Sequence, residues 1–207
     1  MASMENGANN IVQDRLSCMP DEVIVHILSC MATIDAVRTM LLRRFGDLWT
    51  LVHTLRLDFD GFVRNVLMLH KRSTIDTFHL YICEFDDYFN DPNMIDDVQM
   101  WLRFAVYRGV KDLYFAFNGP DDLALPCCVF TCQSIETLRL SGCMIDEYED
   151  GQPLHMGSLR NLSLICVHGY NDAFNELISG CPSLQELTID NPQGLQVLII
   201  TTPSISN

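Results

Sequence analysis

The 207 residues include 27 acids and 13 bases, a formal charge of −14, and are 48% hydrophobic and 19% charged. This is globular composition, and with basic residues only single or paired it excludes a nucleic-acid footprint. No window approaches the roughly 18 consecutive apolar residues of a membrane span.

Residues 1–13 hold Gly, Asn, Ser and Ala without an apolar segment. They read as a disordered lead and not as a signal peptide. The next stretch, Asp14 to Trp49, carries dense helical signals. Pro20 suits the first position of a helix, and Asp21 and Glu22 suit the positive end of its dipole. Val23, Ile24, Ile27 and Leu28 follow at helical spacing on one face. Thr33 can cap a second helix, with Asp35 in its first turn and Val37, Met40 and Leu41 on one side. Two or three helices in about 36 residues cannot bury this much apolar surface among themselves. The surplus must pack on the rest of the chain, on a partner, or on both.

From residue 51 the chain repeats. The template Leu-x-x-Leu-x-Leu-x-x-Asn/Cys fits from Val52, Ile75, Val110, Ile135, Leu159, Leu184 and Leu195, with steps of 23, 35, 25, 24, 25 and 11. Alternation within each copy predicts a strand with one buried face, and each copy must stack on its neighbours to bury it. A side chain at the Asn/Cys position (Cys83, Asn118, Cys143) can hydrogen-bond backbone groups where the strand ends, whereas Val167 and Pro192 cannot. Between strands, helices are predicted over 62–70, over 95–109 with a stop at Gly109, and over 173–182 with a stop at Gly180. The second of these accounts for the 35-residue step. The cysteine-rich stretch 125–132 is too short for a helix.

These features together resemble a known family. The head is similar to the F-box of plant F-box proteins, on Asp14, Arg15, Leu16, Ser17, Pro20, Asp21, Ile27, Leu28, Ser29, Thr33, Ala36, Val37, Thr39, Leu41, Arg43, Arg44, Leu48 and Trp49. It departs at Met19, Leu42, Phe45 and Gly46. The remainder resembles the F-box/leucine-rich-repeat, FBD-associated group, in segments around Val98–Leu113, Leu125–Leu140 and Leu177–Leu187. The resemblance implies an α+β or α/β solenoid: disordered lead 1–13, helical F-box 14–50, and a right-handed β-α leucine-rich-repeat solenoid over 51–207. Six to seven irregular repeats are expected, with the C-terminal cap missing, because family members usually run longer.

The resemblance also implies function. The chain would be a substrate-recognition subunit of a Skp-cullin-F-box ubiquitin ligase, intracellular in nucleus or cytoplasm. Its head would bind a Skp-type adaptor, and through it cullin, by Leu16, Met19, Pro20, Val23, Ile24, Ile27, Leu28, Val37, Leu41, Phe45, Leu48 and Trp49. A protein target would be read by side chains at the variable strand positions. These are Thr54, Arg56, Thr77, His79, Asp112, Tyr114, Thr137, Arg139, Asn161, Ser163, Glu186 and Thr188, with Arg56, His79, Tyr114, Arg139, Asn161 and Glu186 as the principal candidates. The rivals are a degenerate or truncated member acting as an adaptor-independent scaffold, and an enzyme.

The residues give little support to chemistry. Cys127, Cys128, Cys132 and Cys143 lack the spacing of a zinc knuckle, and free thiols in a reducing compartment are the reading of nine cysteines without a secretory signal. The six histidines form no His-x-x-x-His pair, and nucleophile-elbow, phosphate-loop and dinucleotide fingerprints are absent. No catalytic residue, metal or cofactor is expected, nor a nucleic-acid or membrane partner. The acidic run Asp146, Glu147, Glu149 and Asp150 reads as a solvated loop, or as a selector for a basic partner segment.

Overall fold

The structure is a computed structural model, and it describes residues 18–42, 45–58, 62–83, 93–119, 123–145 and 154–199. Two short helices lead, α1 (Asp21–Ser29) and α2 (Thr33–Arg38), followed by 3-10 turns at Thr39–Leu41 and Leu48–Leu51. Then come β1 (Thr54–Asp58), α3 (Val63–Leu69), β2 (Thr77–Cys83), α4 (Met94–Tyr107), β3 (Asp112–Asn118) and β4 (Thr137–Ser141). The chain continues with β5 (Met144–Ile145), β6 (Asn161–Ile165), β7 (His168–Gly169), α5 (Asn171–Ser179) and β8 (Glu186–Asp190).

Six strands form one sheet in the order β1-β2-β3-β4-β6-β8, every pair parallel, so position in the sheet follows position in the sequence. The repeat template sets the register. Leu55, Phe78, Leu113, Leu138, Leu162 and Leu187 align across the strands, as do Leu57, Leu80, Phe115, Leu140, Leu164 and Ile189. The first template positions, Val52, Ile75, Val110, Ile135, Leu159 and Leu184, are all buried. A one-residue slip would turn both apolar rows to solvent, so the register is strongly specified. Burial weakens only at the last strand, where Leu187 and Ile189 stay partly open. This arrangement of parallel strands and intervening helices is an α/β, leucine-rich-repeat-like fold.

Several expectations change. Pro20 precedes α1, in extended backbone (φ −58°, ψ 148°), and the helix begins at Asp21. Thr33 is the first residue of α2, not its cap. The buried edge of α1 is Ile24, Val25 and Leu28, while Val23 and Ile27 face out. The apolar stripe is broader than the surface the chain offers it. Gly46, one of the departures from the family pattern, lies in a turn over residues 45–47. The seventh repeat copy is not a strand over residues 195–199, and Ile200 lies outside the described residues. That segment lies along α5: Asn171 Oδ1 accepts the backbone N–H groups of Gln196 and Val197, and Asn175 Oδ1 accepts that of Ile199 at 2.8 Å. Asn118 is exposed, so it does not fill the buried role proposed for it. The stretch 125–132 holds one 3-10 turn, Cys127–Val129.

The predicted helix stops have different physical causes. Gly109 takes a left-handed φ of 69°, which suits glycine. Gly180 is right-handed, but a Cβ there would lie 2.1 Å from the Leu154 carbonyl oxygen, so close packing is what demands glycine.

Head and sheet share one apolar core. Ile24, Val25, Leu28, Ala36, Leu48 and Trp49 belong to the same buried cluster as the strand residues. Polar bonds reinforce the joint. The Thr33 hydroxyl accepts the Arg56 N–H at 2.8 Å, Arg56 Nη1 donates to the Ser29 carbonyl at 3.3 Å, and Ser29 Oγ lies 3.0 Å from His53 Nδ1.

Candidate functional site

The head presents one candidate surface. Burial sorts the residues proposed to meet an adaptor into three groups. Val23 (43%), Ile27 (41%) and Leu41 (86%) are exposed, as is Pro20. Met19, Val37 and Phe45 are partly buried against the core. Ile24, Leu28, Leu48 and Trp49 are buried in this chain's own core and hold the head to the repeats. Leu16 lies outside the described residues. Met40 and Leu42, which were not among the proposed residues, are also half exposed. Apolar side chains left open this close together in sequence are the surplus the composition pointed to.

The polar face of the sheet is the second candidate. Because the strands are in register, its side chains form rows. One row runs Arg56, His79, Tyr114, Arg139, Ser163, Thr188. Its neighbour runs Thr54, Thr77, Asp112, Thr137, Asn161, Glu186. Four of the six principal target-reading candidates thus fall in one row on adjacent strands, and Asn161 and Glu186 fall in the next.

At the centre of this face the side chains bond one another. Arg139 Nη2 donates to Asp112 Oδ1 at 2.9 Å and Oδ2 at 3.0 Å. His79 Nε2 sits 3.2 Å from Asp112 Oδ2 and 3.2 Å from Arg139 Nη2. A protonated Nε2 donates to the carboxylate, and a bare one accepts from the guanidinium. Burial pushes the Asp112 carboxyl up, but the bonds from His79 and Arg139 together outweigh it and hold the group below its ordinary value. The His79 and Tyr114 rings meet edge to face at 5.6 Å, and the Arg139 guanidinium lies 5.6 Å from the Tyr114 ring centre. Asp112 is the residue the principal candidates left out. Aligning the repeat copies places it diagonally between His79 and Arg139, so the signal was present in the spacing.

The remaining candidates for chemistry do not assemble. Among the described residues, no group of three or more His, Cys, Asp or Glu side chains could hold a metal. Burial pushes the thiols of Cys143 and Cys181 up to about 12, far from the thiolate form that reactive cysteines need. His26 is exposed and stacks on His53 with ring centres 6.1 Å apart. The acidic run 146–150 lies outside the described residues. No helix among the described residues is long and apolar enough to cross a membrane.

A parallel sheet in sequence order, built on the Leu-x-x-Leu-x-Leu template with a polar face of variable side chains, defines a leucine-rich-repeat protein. The family described as "FBD-associated F-box protein At5g56370, LRR repeats" matches residues 98–207, and the chain belongs to the plant F-box/leucine-rich-repeat family. It is 32% identical to the F-box/FBD/LRR-repeat protein At5g56420 of Arabidopsis thaliana, over 93% of this chain and 48% of that one. It is 28% identical to the F-box/LRR-repeat protein At3g26922 of the same plant, over 98% and 68%. It is 33% identical to the F-box/LRR-repeat protein At3g62440, also of that plant, over 85% and 44%. The chain therefore spans about half the length of the first and third of these relatives. No solved structure gives a significant match.

Proposed function

We propose that this chain is the substrate-recognition subunit of a Skp-cullin-F-box ubiquitin ligase, acting inside the cell without chemistry of its own. The head, residues 14–50, binds a Skp-type adaptor and through it cullin. The repeats, a right-handed β-α solenoid, hold a protein target on their polar sheet face. A single observation carries the reading: the head buries one edge of its apolar stripe in the chain's own core and leaves Val23, Ile27 and Leu41 in solvent. The buried edge makes head and sheet one body, and the open edge is free for an adaptor. Holding target and ubiquitin-loaded enzyme on one frame raises effective concentration, which is the whole of the contribution asked of this subunit.

The test is co-purification with a plant Skp-type adaptor. Association that is lost in Ile27→Asp supports the reading, and no association at micromolar concentration overturns it. One observation favours the rival reading, an adaptor-independent scaffold: residues 45–47 form a turn at Phe45 and Gly46, two of the positions where the head departs from the family pattern. On that reading a surface substitution in the head leaves target binding intact and the adaptor never associates.

A further inference from the structure

We propose that the middle row of the sheet face reads an extended acidic segment of the target, through one carboxylate on Arg139 and a second on Arg56. The inference rests on the receptor reading above and adds the chemistry of what is received. It follows from counting donors and acceptors at the centre of the face.

Asp112 commits both carboxylate oxygens inside the cluster, to Arg139 and His79. Among the described residues the bonds of Arg139 all run through Nη2, which leaves Nη1 unengaged, and its side chain remains 43% exposed. Arg56 is exposed and commits Nη1 to the Ser29 carbonyl, leaving the other arm of its guanidinium unengaged among the described residues. The Tyr114 hydroxyl has no partner among the described residues. The charged groups left open at the centre are thus guanidinium donors, the Tyr114 hydroxyl can donate or accept, and an incoming acceptor satisfies all of them. A carboxylate is the acceptor that suits an Arg fork best.

Charge elsewhere on the face narrows the register. Asp58, Glu186 and Asp190 are exposed on the first and last strands and repel a carboxylate placed off the row. Arg56 and Arg139 occupy matching positions on β1 and β4, three strand steps apart, so about 14 Å separates them. An extended segment crossing the strands advances about 3.4 Å per residue, which sets the two carboxylates about four residues apart. The residues between them cross the His79 and Tyr114 rings, so apolar side chains fit there.

The experiment uses the full chain with its adaptor and a short fluorescent peptide. The peptide carries two glutamates about four residues apart with leucines between, and the comparison peptide carries glutamines instead. Fluorescence anisotropy should give the glutamate peptide at least a tenfold preference, about the size of one charge-assisted contact. Arg139→Gln should abolish the preference and Arg56→Gln reduce it, while Arg160→Gln, outside the row, leaves it unchanged. If Arg139→Gln does not fold, Arg139→Lys keeps the charge, removes the fork, and should lose most of the preference. Equal binding of the two peptides, binding of neither, or a preference that survives both Arg139 variants overturns the proposal. Adaptor co-purification is scored in parallel. Adaptor retained without peptide preference sinks this inference alone, and preference retained without adaptor sinks the ligase reading alone.

Discussion

The hydroxyl of Thr33 accepts the backbone N–H of Arg56 at 2.8 Å, and this bond joins the second helix of the head to the first strand of the sheet. Thr33 is buried, so removing its oxygen strands a donor of the first strand beside the core. Thr33→Val keeps shape and volume but loses the acceptor, and should destabilise the chain by about 1–3 kcal/mol. Thr33→Ser keeps the oxygen and should cost less. Urea unfolding of both variants checks the prediction, and equal midpoints for Val and wild type would sink it.

The sheet was legible because its signal is local and repeated. Leu138-x-Leu140 and Leu162-x-Leu164 alternate within five residues, and three near-equal steps fix which strand lies beside which. The helices α3, α4 and α5 were legible for the same reason, each carrying apolar residues at helical spacing, with a glycine stop besides in α4 and α5. What sequence could not decide was which edge of a stripe finds a partner. Val25 is buried and Val23 is not: Val25 joins the core cluster that also holds Leu48 and Trp49, residues more than twenty positions away. Leu195 and Leu198 mimic a repeat, but the Asn171 and Asn175 side chains take the backbone bonds a strand would need. The Asp112 cluster needed the register across β2, β3 and β4, which follows from the template once the copies are aligned.

Burial divides the head residues into two kinds, and the two kinds should fail differently. Ile27→Asp and Val23→Asp place charges on exposed positions, so stability should stay within about 0.5 kcal/mol of wild type. Adaptor association should nevertheless be lost. Trp49→Ala empties a core position and should cost about 3–5 kcal/mol, lowering the melting temperature whether or not the adaptor is present. Thermal melts paired with co-purification separate the outcomes. An Ile27→Asp chain that still carries its adaptor would remove the head surface from the proposal.

Gly180 ends α5 where the chain passes the Leu154 carbonyl. A methyl group there meets that oxygen at 2.1 Å and its carbon at 2.8 Å, both backbone atoms that cannot swing away. Gly180→Ala ordinarily helps a helix end with right-handed backbone by restricting the unfolded chain. Here the clash should reverse the sign and destabilise by about 1–3 kcal/mol. A denaturation midpoint at or above wild type would show that the backbone at Leu154 moves aside at no cost.

His70 gives the chain an acid-sensitive point beneath its first repeat. The ring is buried, Nε2 lies 2.8 Å from the Val52 carbonyl oxygen, and Nδ1 is buried without a hydrogen-bond partner among the described residues. The neutral ring therefore donates from Nε2 and leaves Nδ1 bare. Protonation would put a charged N–H at Nδ1 with nothing to receive it. Burial pushes the His70 pKa below the ordinary 6.5, the Val52 bond works against that shift, and Arg108 and Arg72 add to it. The folded chain thus binds a proton less readily than the unfolded one. Its contribution is present above about pH 6.5 and is lost as pH falls below that value towards the lower folded pKa. Stability should fall between pH 7 and pH 5. His53, also lowered by burial, adds a fall of the same sign. His70→Gln retains a donor for Val52 but does not titrate, so its melting temperature should vary less over that range. Parallel slopes for wild type and His70→Gln would assign the acid sensitivity to other groups.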